Sequence, residues 1–270
     1  MENKTKSEIG KMYYSRTKSI IESEQLTDNH CHDRYEILYV IDGKGRFILE
    51  GREYPIKPRT LIVIPPLEYH SINLSTGSIY ERCVIHFTEG DLFHDCKKYL
   101  SAFNCVSEER PDFYIADINS EPIIYQLEQM ELIDGFPDSE KEIYFRMLLS
   151  QLVLLLSITG ADKFSPSDDD LGARVIKYLN EHIERDVSLD ALAKRFFVSK
   201  YYLCRAFKKH NGISVHGYIN QKRIMYAKQL IEAGETASGA AYKVGFGDYS
   251  AFYRAYIKIV GKAPTAQDEE

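Results

Sequence analysis

Ser199-Lys200-Tyr201-Tyr202-Leu203-Cys204-Arg205-Ala206-Phe207-Lys208-Lys209-His210 is the stretch on which the reading of this chain turns. Ser199 can cap a helix, its hydroxyl accepting from the free N–H groups of the first turn. Tyr202, Leu203, Ala206 and Phe207 then form an apolar stripe at helical period. The opposite face carries Lys200, Tyr201, Cys204, Arg205 and Lys208, so it is basic with one aromatic and one small residue among the cations. Ser188 to Phe196 is a second short amphipathic segment, and Phe197-Val198 is the turn between the two. Two short helices joined so tightly predict a helix-turn-helix.

The pattern returns. Leu203-x-Arg205-Ala206-Phe207-x-Lys209-x-x-Gly212 is echoed 49 residues later by Phe252-x-Arg254-Ala255-Tyr256-x-Lys258-x-x-Gly261, with Asp248 in the capping place of Ser199. A repeat of this kind in a compact region means two copies of one supersecondary unit. Val215 to Ile231, helical in its apolar spacing, predicts a rod that holds the units apart. Two recognition helices on one face of a duplex must lie about one turn, ~34–36 Å, apart to enter successive stretches of major groove.

These residues resemble the DNA-binding domain of AraC/XylS-family transcription regulators. The match covers about the last hundred residues and includes Ala193, Ser199, Leu203, Arg205, Phe207, Gly212, Tyr218, Arg223, Ala227, Val244-Gly245-Phe246, Phe252, Arg254, Gly261 and Pro264. The resemblance implies DNA contacts from the exposed face of each recognition helix: Lys200, Tyr201, Cys204 and Arg205 in the first, Tyr249, Ser250, Tyr253 and Arg254 in the second. The chain departs from the family at Ala237, Gly239 and Ala240, where larger or more helix-favouring residues are usual, and after Pro264. Glycine costs roughly 1 kcal/mol against alanine inside a helix, so the second unit is expected to be looser.

Charge follows the same division. Residues 171–270 carry 16 Lys and Arg against 10 Asp and Glu, whereas residues 1–170 carry 18 against 30, so a module of net +6 rides on a body of net −12. Basic charge confined to one end is the footprint of a DNA reader, although a well-solvated surface produces similar numbers. Five cysteines without CxxC pairing argue against a disulfide framework or a zinc finger and suit a reducing cytoplasm. The first residues, Met1-Glu2-Asn3-Lys4-Thr5-Lys6, lack the apolar core of a signal peptide. The longest apolar run, Met147 to Ile158, is read as too short for a membrane span.

The first 25 residues read as a polar arm. From His30 onward, short β-branched and aromatic runs separated by Gly and Pro turns predict strands at regular spacing, among them residues 35–41, 46–49, 61–64 and 79–87. His30-x-His32-x-x-x-Glu36-x6-Gly43 resembles the first motif of the cupin jelly roll. On one strand residues 30, 32 and 36 share a face, where His70 would join them. Cupins use three imidazoles and a carboxylate for a metal. The second motif is poor here, because Leu67 and Leu74 replace its glycine and asparagine. The group is open to two readings, a metal site or a polar pocket, and His30, His32, Glu36 and His70 are taken as effector-binding residues, with no metal and no cofactor. Imidazole, carboxylate and tyrosine groups suit a polyhydroxylated ligand such as a sugar. Tyr39, of opposite parity to Glu36, is expected outside the barrel.

After about Arg110 the strands are expected to end. Glu121 to Glu131 and Glu140 to Ser157 predict two amphipathic helices, the second with an apolar face wide enough to serve a dimer. Gly160 to Asp170 is small, polar and acidic, and reads as a linker. The expected fold is an α+β multidomain chain. An arm (1–25), a cupin-like jelly-roll barrel (26–110), a helical dimerisation segment (111–158) and a linker (159–170) precede an all-α domain of two helix-turn-helix motifs joined by a long helix (171–270). The expected function is a cytoplasmic, dimeric, effector-controlled transcription regulator, by resemblance an activator. Its partners would be duplex promoter DNA, a small-molecule effector and RNA polymerase, with no membrane. A metal-dependent cupin enzyme and an effector-free architectural DNA binder are the alternatives.

Overall fold

A computed structural model describes residues 3–27, 29–104, 112–162, 171–183, 185 and 187–265. The N-terminal domain is two antiparallel sheets under a helical layer. The first holds β1 (Asn3–Ile9), β2 (Met12–Ile21), β4 (Tyr35–Asp42), β7 (Thr60–Ile64), β9 (Ser78–Phe87) and β10 (Phe113–Ile115), in the order β1-β2-β9-β4-β7-β10. The second is β3 (Gln25–Leu26), β5 (Gly45–Leu49), β6 (Arg52–Ile56) and β8 (His70–Leu74), in the order β3-β8-β5-β6.

Two expectations are corrected. The polar N-terminus is not an arm: β1 and β2 form a hairpin, in register from Asn3↔Lys18 to Ile9↔Met12, and β2 runs along β9 for its whole length. Gly10, at φ +59, makes the two-residue loop without a Cβ penalty. Strands also continue past residue 110, because β10 pairs with β7 at the far edge of the sheet.

Period-two alternation sorts the side chains. Leu38 and Val40 point between the sheets with Phe47, Leu49, Tyr54, Ile62, Ile64, Ile72 and Val84. Ile37 and Tyr39 point the other way, with Val63, Cys83 and Ile85, beneath α1 (Glu121–Met130) and α2 (Asp138–Thr159). Tyr39 therefore packs outside the barrel, as its parity predicted. A strand covered on both faces needs no polar side, so Leu61-Ile62-Val63-Ile64 is an unbroken apolar run.

Helix α2 buries Phe145, Leu148, Leu149, Leu152, Val153 and Leu156, one continuous helical face. At 22 residues it is, by length and composition alone, apolar enough to cross a membrane. Its buried face, however, is committed to the sheet. Ile143, Met147 and Ile158 are left exposed. Residues 163–170 of the expected linker lie outside the described residues.

The C-terminal domain comprises α3 (Leu171–His182), α4 (Leu189–Arg195), α5 (Lys200–Asn211), α6 (Val215–Glu232), α7 (Ala237–Lys243) and α8 (Tyr249–Val260). Ser188, Ser199, Ser214, Thr236 and Asp248 each cap the following helix by accepting a backbone N–H. In each tight turn one residue takes a left-handed conformation: Gly245 in the second unit, but Phe197, at φ +55, in the first. That conformation costs a side-chain-bearing residue roughly 1–2 kcal/mol. The turn of the first unit therefore carries strain that the glycine of the second avoids. Helix α6 gives Val215, Tyr218 and Ile219 to one core and Ile224 and Ala227 to the other. Near its middle, Arg223 donates to the carbonyls of Ile183, Arg185 and Gly245, tying the two units together.

The two domains share a core. Cys31 and Tyr69 of the N-terminal domain complete the apolar cluster of the first helix-turn-helix unit, with the Tyr69 and Tyr218 rings stacked 4.7 Å apart. Beside them Lys222 Nζ lies 2.6 Å from Glu50 Oε1, and the Tyr218 hydroxyl is 2.7 Å from Glu50 Oε2. Lys222 and Glu50 are both buried. Gly51 follows at φ +79, where an added Cβ would fall 2.0 Å from His210 Nε2, so a side chain here would strain the turn and push the His210 ring of α5 aside.

Glu68 is the second carboxyl in the joint. Burial pushes it up to about 8; Lys222 opposes the rise and Glu50 adds to it. Burial pushes Glu50 up, but the charge of Lys222 together with hydrogen bonds from Lys222, Glu68 and the Tyr69 backbone holds it below its ordinary range. One lysine thus neutralises one carboxylate, and Glu68 keeps its proton. A carboxyl whose folded value is raised gives stability that is complete below the unfolded value of 4.5 and is lost as pH rises through about 8. Between about pH 5 and pH 8 the melting temperature of Glu68→Gln is therefore expected to fall less steeply than that of the unaltered chain. Equal slopes would place the proton elsewhere.

Candidate functional site

Two regions carry chemistry. In the first, α5 buries Leu203 and Phe207, and α8 buries Phe252 and Tyr256 at the repeat spacing. Arg205 and Arg254 are exposed, as are Lys200, Tyr201, Tyr249, Ser250 and Tyr253, while Cys204 is half-buried. Neither arginine has an ion-pair or hydrogen-bond partner among the described residues. Lys200 pairs with Asp190 at 2.8 Å, an exposed bridge of little net worth that a phosphate can replace. Tyr201 is 76% exposed, a large aromatic body held in solvent on the basic face. Tyr202 corrects the sequence reading: placed on the apolar stripe by spacing, it is 56% exposed, because Leu203 and Phe207 alone reach the core.

The second region is one end of the barrel. Apolar side chains fill the space between the sheets, so what remains open chemically is the rim around Glu36. Register places Glu36 on β4 opposite His86 on β9, and Tyr13 on β2 opposite the other side of His86. Glu36 Oε2 lies 2.9 Å from His32 Nε2 and 2.9 Å from His86 Nε2, and 3.5 Å from His70 Nε2. His30 is drawn in by a backbone bridge to His70, their rings 4.4 Å apart. Burial alone would raise the Glu36 carboxyl, but the imidazoles of His32, His70 and His86 hold it well below the ordinary carboxylate range.

His30, His32, Glu36 and His70 do converge, though not on one strand as expected. Regular β4 begins only at Tyr35, and residues 29–33 run up to it as an extended segment bridged to β8. The sequence reading missed His86. Its signal was parity alone: Cys83, Ile85 and Phe87 face the helices, which leaves Val84 and His86 facing inward. The potential ligand atoms of His32, Glu36 and His86 all lie within 4.8 Å of one another, a set that can hold a metal ion.

Segment 29–33 joins the two regions. His30 and His32 turn to the barrel rim. The alternate residues turn to the helical domain: Asn29 donates to the Asn211 carbonyl at 2.6 Å, Cys31 sits in the first helix-turn-helix core, and Asp33 accepts from Lys228 of α6 at 2.5 Å. A cleft of about 530 Å³ opens beside it, lined by Asp33, Tyr35, Glu68 and Glu89 of the barrel and by Gln229 and Glu232 of α6.

Comparison with known proteins agrees with this division. The model of the AraC-like ligand binding domain matches residues 18–115, and that of a helix-turn-helix domain matches residues 192–269. The chain is 28% identical over 229 residues to the HTH-type transcriptional regulator YbfI of Bacillus subtilis, spanning 84% of this chain and 81% of that one. It is 25% identical over 247 residues to the HTH-type transcriptional activator RhaS of Salmonella schwarzengrund, spanning 87% and 85%. Among solved structures, an apo single-substitution variant of ToxT from Vibrio cholerae aligns over 94% of this chain and 95% of its own, at 16% identity and a TM-score of 0.43, too distant to carry an argument. Both sequence relatives are transcriptional regulators, which sets aside the enzyme alternative. With a ligand-binding domain of the AraC type followed by a helix-turn-helix domain, the chain belongs to the AraC family of transcriptional regulators.

Proposed function

We propose that this regulator reads two neighbouring segments of a promoter with α5 and α8, and that a small effector at the barrel rim controls the reading. The observation that carries the first part is the duplicated face. Arg205 and Arg254 stand at equivalent places on two units welded by α6 and Arg223, exposed and without partners among the described residues. Lys200, Tyr201 and Cys204 flank the first arginine; Tyr249, Ser250 and Tyr253 flank the second. Arginine pairs bidentately with guanine, and lysine and tyrosine suit the sugar-phosphate path.

The effector would meet His30, His32, Glu36 and His70, with Tyr13 beside His86 at the same rim. Imidazoles and a carboxylate favour a polyhydroxylated molecule of sugar size. Segment 29–33 supports the coupling, because a ligand that moves His32 also moves Cys31 and Asp33. An effector shifts the balance only by binding one arrangement more tightly than the other. Exposed Ile143 and Met147 on α2 suit pairing with a second copy, which would bring two readers to one promoter in the cytoplasm. Activation through contact with RNA polymerase is favoured by the likeness to RhaS, an activator by name.

Three outcomes test this reading. Arg205→Ala and Arg254→Ala should each lower operator affinity by about 1–3 kcal/mol, relaxing specificity at a different base pair in footprinting; unchanged footprints would refute the assignment. Met147→Glu should convert a sedimenting dimer to monomer, and a dimer unaltered by it pairs elsewhere. Once a thermal-shift screen of small sugars finds an effector, the double variant His32→Ala/Glu36→Ala should lose the response while keeping operator binding. A response that survives would move the effector site, with the acidic cleft beside Gln229 next in line.

A further inference from the structure

The turn between α4 and α5 and the turn between α7 and α8 are built alike but filled differently. In the first, the Phe197 N–H donates to the Lys194 carbonyl at 3.4 Å and the Val198 N–H to the Ala193 carbonyl at 3.0 Å. In the second, Gly245 and Phe246 donate at the same offsets to Tyr242 and Ala241, both at 3.0 Å. Val198 and Phe246 pack against their respective cores. Phe197 and Gly245 are therefore counterparts, and both are left-handed, at φ +55 and φ +87. Glycine takes that conformation freely and phenylalanine does not. Nothing in the fold offsets the difference, because the Phe197 side chain is buried against nothing. At 95% exposure it is the most open large apolar side chain among the described residues.

A single exposed apolar residue is ordinary on a protein surface, but this one is neither alone nor relaxed. Tyr201 is 76% exposed and Tyr202 56% exposed on the first turn of α5, so the stretch from Phe197 to Tyr202 holds three aromatic rings in solvent. Strained conformations persist chiefly where function holds them. The surroundings indicate the partner. From Ser188 to Asn211 six Lys and Arg stand against one acid, Asp190, and Asp190 is already bridged to Lys200 at 2.8 Å. Lys194 and Arg195, just before Phe197, are exposed. An apolar ring fringed by cations suits a polyanion that also offers an apolar group, and the duplex this protein binds is one. The place fits as well. A recognition helix meets base edges with its N-terminal residues, and Phe197 stands two residues before Ser199, the cap of α5.

We propose that Phe197 is a specificity-determining residue, its ring packed on the C5 methyl of a thymine at the edge of the major-groove segment entered by α5. A phenyl ring forms no hydrogen bond to phosphate, and the thymine methyl is the apolar group that base pairs present in the major groove. The assignment rests on the reading of α5 as a recognition helix and adds to it a contact outside the helix itself. Gly245 leaves the second unit without an equivalent ring. The thymine preference therefore belongs to one end of the site only, and it fixes which way round the two units lie on the duplex.

The test selects binding sites for the full chain from a random-sequence duplex library and measures affinity for the selected site by fluorescence anisotropy. The unaltered chain should enrich a thymine beside the base pair that Arg205→Ala disturbs. Phe197→Gly and Phe197→Asn should lose that preference and keep the rest of the site. Uracil in place of the thymine removes the methyl alone. It should weaken the unaltered chain roughly fourfold, the worth of one buried methyl, and leave Phe197→Gly unmoved. Phe197→Gly should bind the intact site more weakly by at least that factor while melting no lower than the unaltered chain, because glycine accepts the left-handed turn; asparagine tolerates it too. Affinity and melting temperature that fall together would make Phe197 a structural residue and overturn the proposal. So would affinity unchanged by both variants, or uracil that affects the unaltered chain and Phe197→Gly alike. Arg205→Ala keeps the two readings apart. If it alters the selected site and the Phe197 variants do not, α5 reads DNA without Phe197; if none of them alters it, both readings fall.

Discussion

A lysine ammonium does not enter a protein interior unpaired. Lys222 lies 5% exposed between two domains, and its charge is matched by Glu50, from the turn of a β-hairpin, rather than by anything on its own helix. Removing one partner of such a pair typically costs about 3–5 kcal/mol, because the other is left charged and dry. Separating the helical domain from the barrel would break this pair and strip Cys31 and Tyr69 from its first core. The remaining contacts follow from this constraint. Glu68 is pushed toward its protonated form, Gly51 leaves room for the His210 ring, and Tyr218 both stacks on Tyr69 and donates to Glu50.

The two reading units differ in how they are held. The first is anchored to the sensor through α3, α5 and the first half of α6. The second packs on the far half of α6, and among the described residues its tie to the rest runs through Arg223 and the α6 contacts at Lys228 and Gln229. The sensor touches the unit bearing Arg205 directly, and the one bearing Arg254 only through α6.

What could be read from the sequence follows a physical line. Helical units announce themselves locally, through caps such as Ser199 and Asp248 and stripes such as Leu203 and Phe207, so both recognition helices and the rod were legible. Strands covered on two faces were legible as apolar runs. The N-terminal hairpin was not, because an edge strand such as Asn3–Ile9 carries polar residues and resembles a solvated tail. His86 was not, since its importance lies in standing opposite Glu36 across a strand pair, and registry between distant strands is not written in either one. Nothing in the sequence pairs Lys222 with Glu50; only the fold shows that they meet in the interior, with Glu68 beside them at the edge of the cleft. Tyr202 failed for the opposite reason, an aromatic residue at the right spacing that the short core did not need.

The alternation along Asn29-His30-Cys31-His32-Asp33 bears on how this protein can be recombined. A sensor domain is usually grafted by cutting in the linker, which treats the two halves as separable cassettes. Here every second residue before β4 belongs, by its contacts, to the DNA-reading half. A chimera joined at the linker would set foreign residues against Asn211, the first helical core and Lys228. A single inserted or deleted residue in the segment would rotate the histidines outward and the anchors inward. The natural unit of exchange is the sensor together with the surface of α5 and α6 that it grips.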